Sequence, residues 1–234
     1  KTQEEFDEIQ LLLQYACRKS YYDLIKILLS ETIENDSNSM VFKIDETNKT
    51  ASLFKVNQKL DHIIVPKTVK HKLNAYLVTS ISNLGYQFYS NIKTIEFEED
   101  SSVNTIYGCS FSRSNIEEIH FPKSLIDLKK GWCSDTEKLT KIIISPSNDQ
   151  FLFKEDKYLY GKNDPKKDEF DTLLFVRRDI EEISIRPNIK VIESWSFARS
   201  IINEIFIPLS VKKICECAFL NCKNLRKIEF APNS

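Results

Sequence analysis

One short phrase of apolar and variable positions recurs along the chain. It reads apolar-x-x-Ile-x-apolar, and its isoleucine falls at Ile63, Ile95, Ile119, Ile142, Ile183, Ile205 and Ile228. Leu or Ile stands three residues earlier each time, from Leu60 to Leu225, and a second apolar residue stands two later, from Val65 to Phe230. Successive isoleucines lie 32, 24, 23, 41, 22 and 23 residues apart, so four gaps share one unit length and two carry insertions. A repeat of this period with one short strand per unit predicts a stacked solenoid. The expected fold class is therefore mainly β, a solenoid of short parallel strands in ~23-residue coils. All seven isoleucines are expected to lie in one parallel sheet, one coil apart and buried.

Within a unit the strand is stopped by proline, as at Pro66, Pro122 and Pro208, since proline cannot donate to a ladder. A second apolar pair spaced by three follows, for instance Ile189 and Ile192 or Val211 and Ile214. Five residues later comes a bulky or soft plug: Tyr86, Phe111, Cys133, Phe197 or Phe219. No unit can bury these groups alone, and stacking at the ~4.8 Å strand spacing aligns them into columns.

The longest gap holds two strand-like runs, Lys157–Tyr160 and Thr172–Val176, around a polar stretch with Gly161, Asp164 and Pro165, which predicts a hairpin within 151–179. A smaller excursion falls near Lys67–Tyr76. Met40–Val56 alternates on both sides of a Thr-Asn-Lys-Thr turn and is expected to form a hairpin over the open end of the solenoid. Before it, Phe6, Ile9, Leu12, Leu13 and Ala16, then Tyr21, Leu24, Ile25, Leu28 and Leu29, follow the helical period. That predicts an α-helical pair over 1–33, a polar linker at 34–39, and a repeat domain over 40–234.

Residues on either side of each isoleucine are expected to face outward. These columns are mixed and polar, except for Ile64, Ile143 and Phe206. Exposed apolar residues among charges mark contact sites, with aromatics as anchors. Phe206 lies between Ser184 and Glu229, with Glu182 and Glu204 beside it. Glu118, His120, Lys141, Ile143, Glu182, Glu204 and Phe206 are the candidate partner face.

A hydrophobic content of 41% and a net charge of -1 give no electrostatic case for nucleic acid or anionic membrane. No apolar run approaches the ~18 residues needed to span a bilayer. Four glycines are too few to suggest a phosphate-cradling loop. The chain begins at Lys1, which is expected of a fragment or processed form and leaves open a leader or anchor outside it. Cys215, Cys217 and Cys222 lack a fourth ligand nearby, so core or half-buried thiols are expected rather than zinc. Cys109 falls in the Cys217 column. A disulfide in that cluster requires export, and inside a cell all six cysteines are expected to be unpaired. No nucleophile–base pair is evident around His62, His71 or His120. Glu118 and His120 read as a solvated pair on one strand face. The run Glu96, Glu98, Glu99, Asp100 lacks a calcium-loop pattern and reads as a solvated turn. No catalytic residue, metal or cofactor is expected. Asn35-Asp36-Ser37 and Asn48-Lys49-Thr50 are glycosylation sequons that matter only for an exported chain.

The segment from Ile205 to Leu225, with Pro208, Val211, Ile214, Ala218-Phe219 and Cys222, resembles the repeat of the BspA-like leucine-rich repeat family. The Met40–Val56 hairpin, Tyr76–Ile81 and Tyr158-Leu159-Tyr160 look like features of the same family, and the likeness spans about Met40 to Ser234. It departs at Trp132-Cys133, where Ala-Phe is usual, and at Glu193-Ser194-Trp195, where small residues are usual. The resemblance implies a leucine-rich repeat solenoid, a place at the cell surface, adhesion to proteins, and no catalytic residues. Leu13–Glu31, with Ala16, Leu24-Ile25 and Leu28-Leu29, is similar to the second half of an ankyrin repeat. An amphipathic helix pair acting as a cap fits those residues as well. Two functions follow: a protein-binding or adhesion module that uses its outward sheet face, or a structural subunit of an intracellular assembly. The ankyrin-like segment would favour a cytoplasmic scaffold. Both imply a protein partner.

Overall fold

The computed structural model describes residues 31–35, 40–56, 60–82 and 91–232. Their regular elements are all strands: β1 (Glu31–Asn35), β2 (Met40–Asp45), β3 (Thr50–Val56), β4 (His62–Val65), β5 (Thr68–His71) and β6 (Asn74–Ile81) come first. Then follow β7 (Thr94–Phe97), β8 (Thr105–Ile106), β9 (Glu118–Phe121), β10 (Asp127–Leu128), β11 (Lys141–Ile144) and β12 (Phe151–Lys154). The chain closes with β13 (Tyr158–Gly161), β14 (Thr172–Val176), β15 (Val191–Ile192), β16 (Glu204–Ile207), β17 (Lys213–Ile214) and β18 (Lys227–Phe230). The expected helical pair lies outside the described residues, apart from its last three positions. Those belong to β1, which crosses the boundary drawn after residue 33 and pairs antiparallel with β2.

The phrase strands form one side of the solenoid. β4, β7, β9 and β11 are parallel neighbours, and Ile63, Ile95, Ile119 and Ile142 stack in register. All four are at most 4% exposed. The opposite side is built from the second apolar pairs. β3, β6, β8 and β10 run parallel in one sheet, and β14, β15 and β17 in another. The β2–β3 hairpin forms as expected. The Asp45 carboxylate accepts the backbone N–H groups of Thr47 and Asn48 and fixes the turn. β3 then covers the end of the stack by pairing with β6.

Two isoleucines depart from the expected column. Ile183 is half-buried and lies in no strand. The physical cause is the insertion: Ser184 gives its backbone N–H to the Tyr158 hydroxyl at 3.0 Å, not to a neighbouring strand. The phrase sheet therefore stops at β11 and resumes as a separate pair, β16 with β18. Ile228, in the last described coil, is 45% exposed because no described coil covers it.

The insertion also shortens the third side of its coil. From the second-pair residue to the next phrase, other coils spend ten or eleven residues, as from Ile106 to Ile116 and Leu128 to Leu139, whereas Leu173 to Ile180 takes seven. Elsewhere the third side is a ladder between turns. Cys109 N–H donates to Gly131 O at 3.0 Å, Phe111 to Trp132 O at 2.9 Å, and Phe197 to Ala218 O at 2.9 Å. Where the turn is missing, the buried Arg178 side chain supplies donors. Its guanidinium bonds the carbonyls of Ser196 and Trp195.

Both departures from the repeat pattern meet this gap. Trp132 fills it from one side, edge-on to Phe111 and Phe121, with Phe175 6.3 Å away. Trp195 reaches across it to Gly131. A Cβ on Gly131 would lie 3.3 Å from the indole, and φ there is +70°, so glycine is needed on both counts. Arg199 closes the far edge by pairing with Asp135 and Glu137.

Candidate functional site

The outward face of the β4–β7–β9–β11 sheet carries a connected polar chain. Pleating turns the neighbours of each isoleucine outward, and parallel register sets like positions side by side. One row therefore runs His62, Thr94, Glu118, Lys141, and the next runs Ile64, Glu96, His120, Ile143. His62 Nε2 lies 3.5 Å from Glu96 Oε1, and His120 Nε2 lies 3.9 Å from the same oxygen. His120 Nε2 also bonds Glu118 Oε1 at 2.7 Å, and Lys141 Nζ donates to Glu118 Oε2 at 3.0 Å. Partial burial raises the Glu118 carboxyl, but the bonds from Lys141 and His120 outweigh it and hold the group below the usual range. Ile64 and Ile143 bracket this chain, 45% and 38% exposed.

Four of the seven expected face residues thus meet here: Glu118 and His120 on β9, Lys141 and Ile143 on β11. Glu204 and Phe206 lie on β16 in a second patch, with Phe206 opposite Glu229 and 51% exposed. Glu182 is exposed between the patches, on the coil without a strand, so the seven do not form one sheet face. His62, Ile64 and Glu96 join the first patch although the sequence reading left them out. Their signal was present in the columns. Glu96 reads as part of an acidic turn, but it belongs to β7, and only Glu99 and Asp100 occupy the turn. Glu98 is drawn the other way, accepting the Lys67 backbone N–H at 2.7 Å.

The arrangement can offer carboxylate acceptors, imidazole groups and two apolar contacts to a partner across one flat sheet. Among the described residues no group of three His, Cys, Asp or Glu is placed to hold a metal ion. No disulfide joins the five described cysteines to one another. Cys109 and Cys217 occupy equivalent turn positions, with φ of 59° and 58°, as their shared column implied.

The family model of the BspA type leucine rich repeat region matches residues 51–159 and 169–234, in six copies. The chain belongs to the BspA type leucine rich repeat family. The break in the match, residues 160–168, coincides with the tip of the insertion between β13 and β14. BspA-type repeats therefore account for both sides of the solenoid. Among solved structures, a leucine rich cell surface protein from Faecalibacterium prausnitzii is similar at 16% identity and a TM-score of 0.48, over 86% of this chain and 76% of that one. A leucine-rich repeat protein from Eubacterium ventriosum is similar at 16% identity and a TM-score of 0.49, over 87% and 73%. The pneumococcal vaccine antigen PcpA is similar at 17% identity and a TM-score of 0.42, over 86% and 70%. No curated protein matches the chain. No helix among the described residues is long and apolar enough to cross a membrane.

Proposed function

We propose that this BspA-type chain is a non-catalytic protein-binding or adhesion module at the cell surface, which presents the outward face of β4, β7, β9 and β11. The observation that carries the reading is the pair of exposed isoleucines, Ile64 and Ile143, on either side of the chain His62–Glu96–His120–Glu118–Lys141. Apolar anchors beside fixed polar groups are what a specific contact needs, and the rigid parallel ladder holds them in place. Glu204 and Phe206 on β16 supply a second contact of the same kind, with Glu182 exposed between the two. A pull-down from the native source tests this, with wild type compared against Ile64→Glu/Ile143→Glu and against Phe206→Ala. A partner held by wild type and lost from the double variant, with the melting temperature unchanged, is the expected result. Full retention by both variants would overturn the assignment of this face.

A further inference from the structure

A buried cation normally rests on a carboxylate, because water no longer screens its charge. Arg178, 3% exposed, departs from that rule. Its two Nη groups bond the carbonyls of Ser196 and Trp195, and no described carboxylate pairs with it. Asp135 is the acid whose charge reaches it, but that carboxylate is held by Arg199 and Arg113. Cys133 lies against the guanidinium and is no counter-ion either: burial pushes its thiol up to about 12, so it stays neutral. The charge of Arg178 is therefore uncompensated, and burial pulls the guanidinium below its usual range.

The polar atoms around it are donors without acceptors. Ser110, Trp132, Ser196 and Ala218 share one column, each following a left-handed residue: Cys109, Gly131, Trp195 or Cys217. Trp132 and Ser196 thus border the gap of the short coil from its two sides, with Arg178 between them. The Ser110 hydroxyl is satisfied, since it donates to the carbonyls of Ile81 and Tyr107. Trp132 Nε1, Arg178 Nε and Ser196 Oγ are buried with no hydrogen-bond partner. The backbone adds a fourth donor. Phe111 and Phe197 give their N–H groups to Trp132 O and Ala218 O, whereas the equivalent Cys133 N–H reaches no carbonyl across the gap. Phe175 ties the two ends together, with the Arg178 guanidinium 4.7 Å from its ring centroid and the Trp132 ring at 6.3 Å.

We propose that this gap binds one small monovalent anion, of the size of chloride or bromide, on Arg178 Nε, Trp132 Nε1 and Ser196 Oγ. Convergent N–H and O–H groups around a single cation are the complement of such an ion. Water carries no charge and would leave Arg178 uncompensated. A divalent oxyanion would need a second free cation, and Arg199 is spent on Asp135 and Glu137. Room comes from the short coil itself, which takes seven residues from Leu173 to Ile180 where Ile106 to Ile116 takes ten.

Thermal melts of the full chain in sodium bromide or chloride against sodium gluconate, at a constant ionic strength of about 0.3 M, test the proposal. An ion held only by the folded state raises the melting temperature along a saturating curve. Wild type is expected to gain at least about 3 °C, with half of the effect below about 0.1 M bromide. The chain has two tryptophans, and both border the gap, so bromide should quench intrinsic fluorescence with the same midpoint. Trp132→Phe and Ser196→Ala are each expected to shrink the melting shift at least about twofold, and Arg178→Met to abolish it. Lys212→Gln, which removes an exposed cation elsewhere, should keep it in full. Should Arg178→Met fail to fold, the two milder variants decide. Equal stability in bromide and gluconate would overturn the proposal, as would a rise linear in bromide without saturation. So would a full shift in both Trp132→Phe and Ser196→Ala, or in folded Arg178→Met.

Discussion

Cys109, Gly131, Trp195 and Cys217 hold the same left-handed place in four turns, with φ of 59°, 70°, 65° and 58°. Only one of them is glycine, so the turn is imposed by the stack and strains the others locally. At Cys217 the side chain is exposed and spans no gap, so Cys217→Gly should stabilise the fold by about 0.5–1 kcal/mol after the entropy of the unfolded chain is counted. Chemical denaturation checks this, and a lower midpoint would contradict it. Cys133 presents the opposite environment. Burial pushes its thiol up to about 12, against the neighbouring Arg178 charge, which pulls it down. Iodoacetamide near pH ~8 should therefore modify Cys217 and spare Cys133 until unfolding. Equal labelling in the folded state would refute it. Linkage has the same sign: the unfolded thiol ionises near ~8.5, so between there and about 12 the unfolded state binds fewer protons and stability falls as pH rises. Cys133→Val should flatten that alkaline decline. These residues show what was readable: the shared column of Cys109 and Cys217 followed from spacing, whereas their left-handed backbone did not, because nothing in Cys or Trp announces it.

The isoleucine column is where element and environment separate. The same phrase yields a 0% exposed Ile119 inside a four-stranded sheet, a half-buried Ile183 in no strand, and a 45% exposed Ile228 at the last described coil. Truncation to alanine should cost ~2–5 kcal/mol at Ile119, about 1–2 at Ile183 and under about 1 at Ile228. Three urea titrations rank them, and equal costs would mean that the column is uniformly buried in solution. The hairpins at Met40–Val56 and in the insertion were legible from alternation around turn residues. The loss of the Ile183 strand was not, since it depends on the Tyr158 hydroxyl taking the Ser184 donor from 26 positions away.

At the scale of the whole molecule, the solenoid is held across its short coil by side chains as well as backbone. Adjacent arginines divide that work unequally. Arg178 is buried and gives a second, charged donor to the carbonyls of Ser196 and Trp195, which also accept the Val176 and Ala198 N–H groups, whereas Arg177 pairs with Asp179 near the surface. Arg178→Met should therefore destabilise by about 1–3 kcal/mol, because the Trp195 and Ser196 carbonyls would each lose a charged donor and keep only a backbone one. Arg177→Ala should cost under about 1 kcal/mol. Thermal melts of the two variants check the contrast, and similar shifts would show that the gap is bridged by other means.

The period of the apolar phrase, by itself, determined that this chain stacks coils, which residues form the inner columns, and where the insertions leave the stack. A repeat has one low-energy way to bury such columns, so local pattern and global fold coincide. Tertiary structure decided the rest. Only the parallel register brings His62, Glu96 and His120 together from three coils, and only the missing turn explains Trp132, Trp195 and Arg178. Pairing across coils depends on which donors an insertion consumes and which strands it lets meet, and neither is written in the spacing of any one coil.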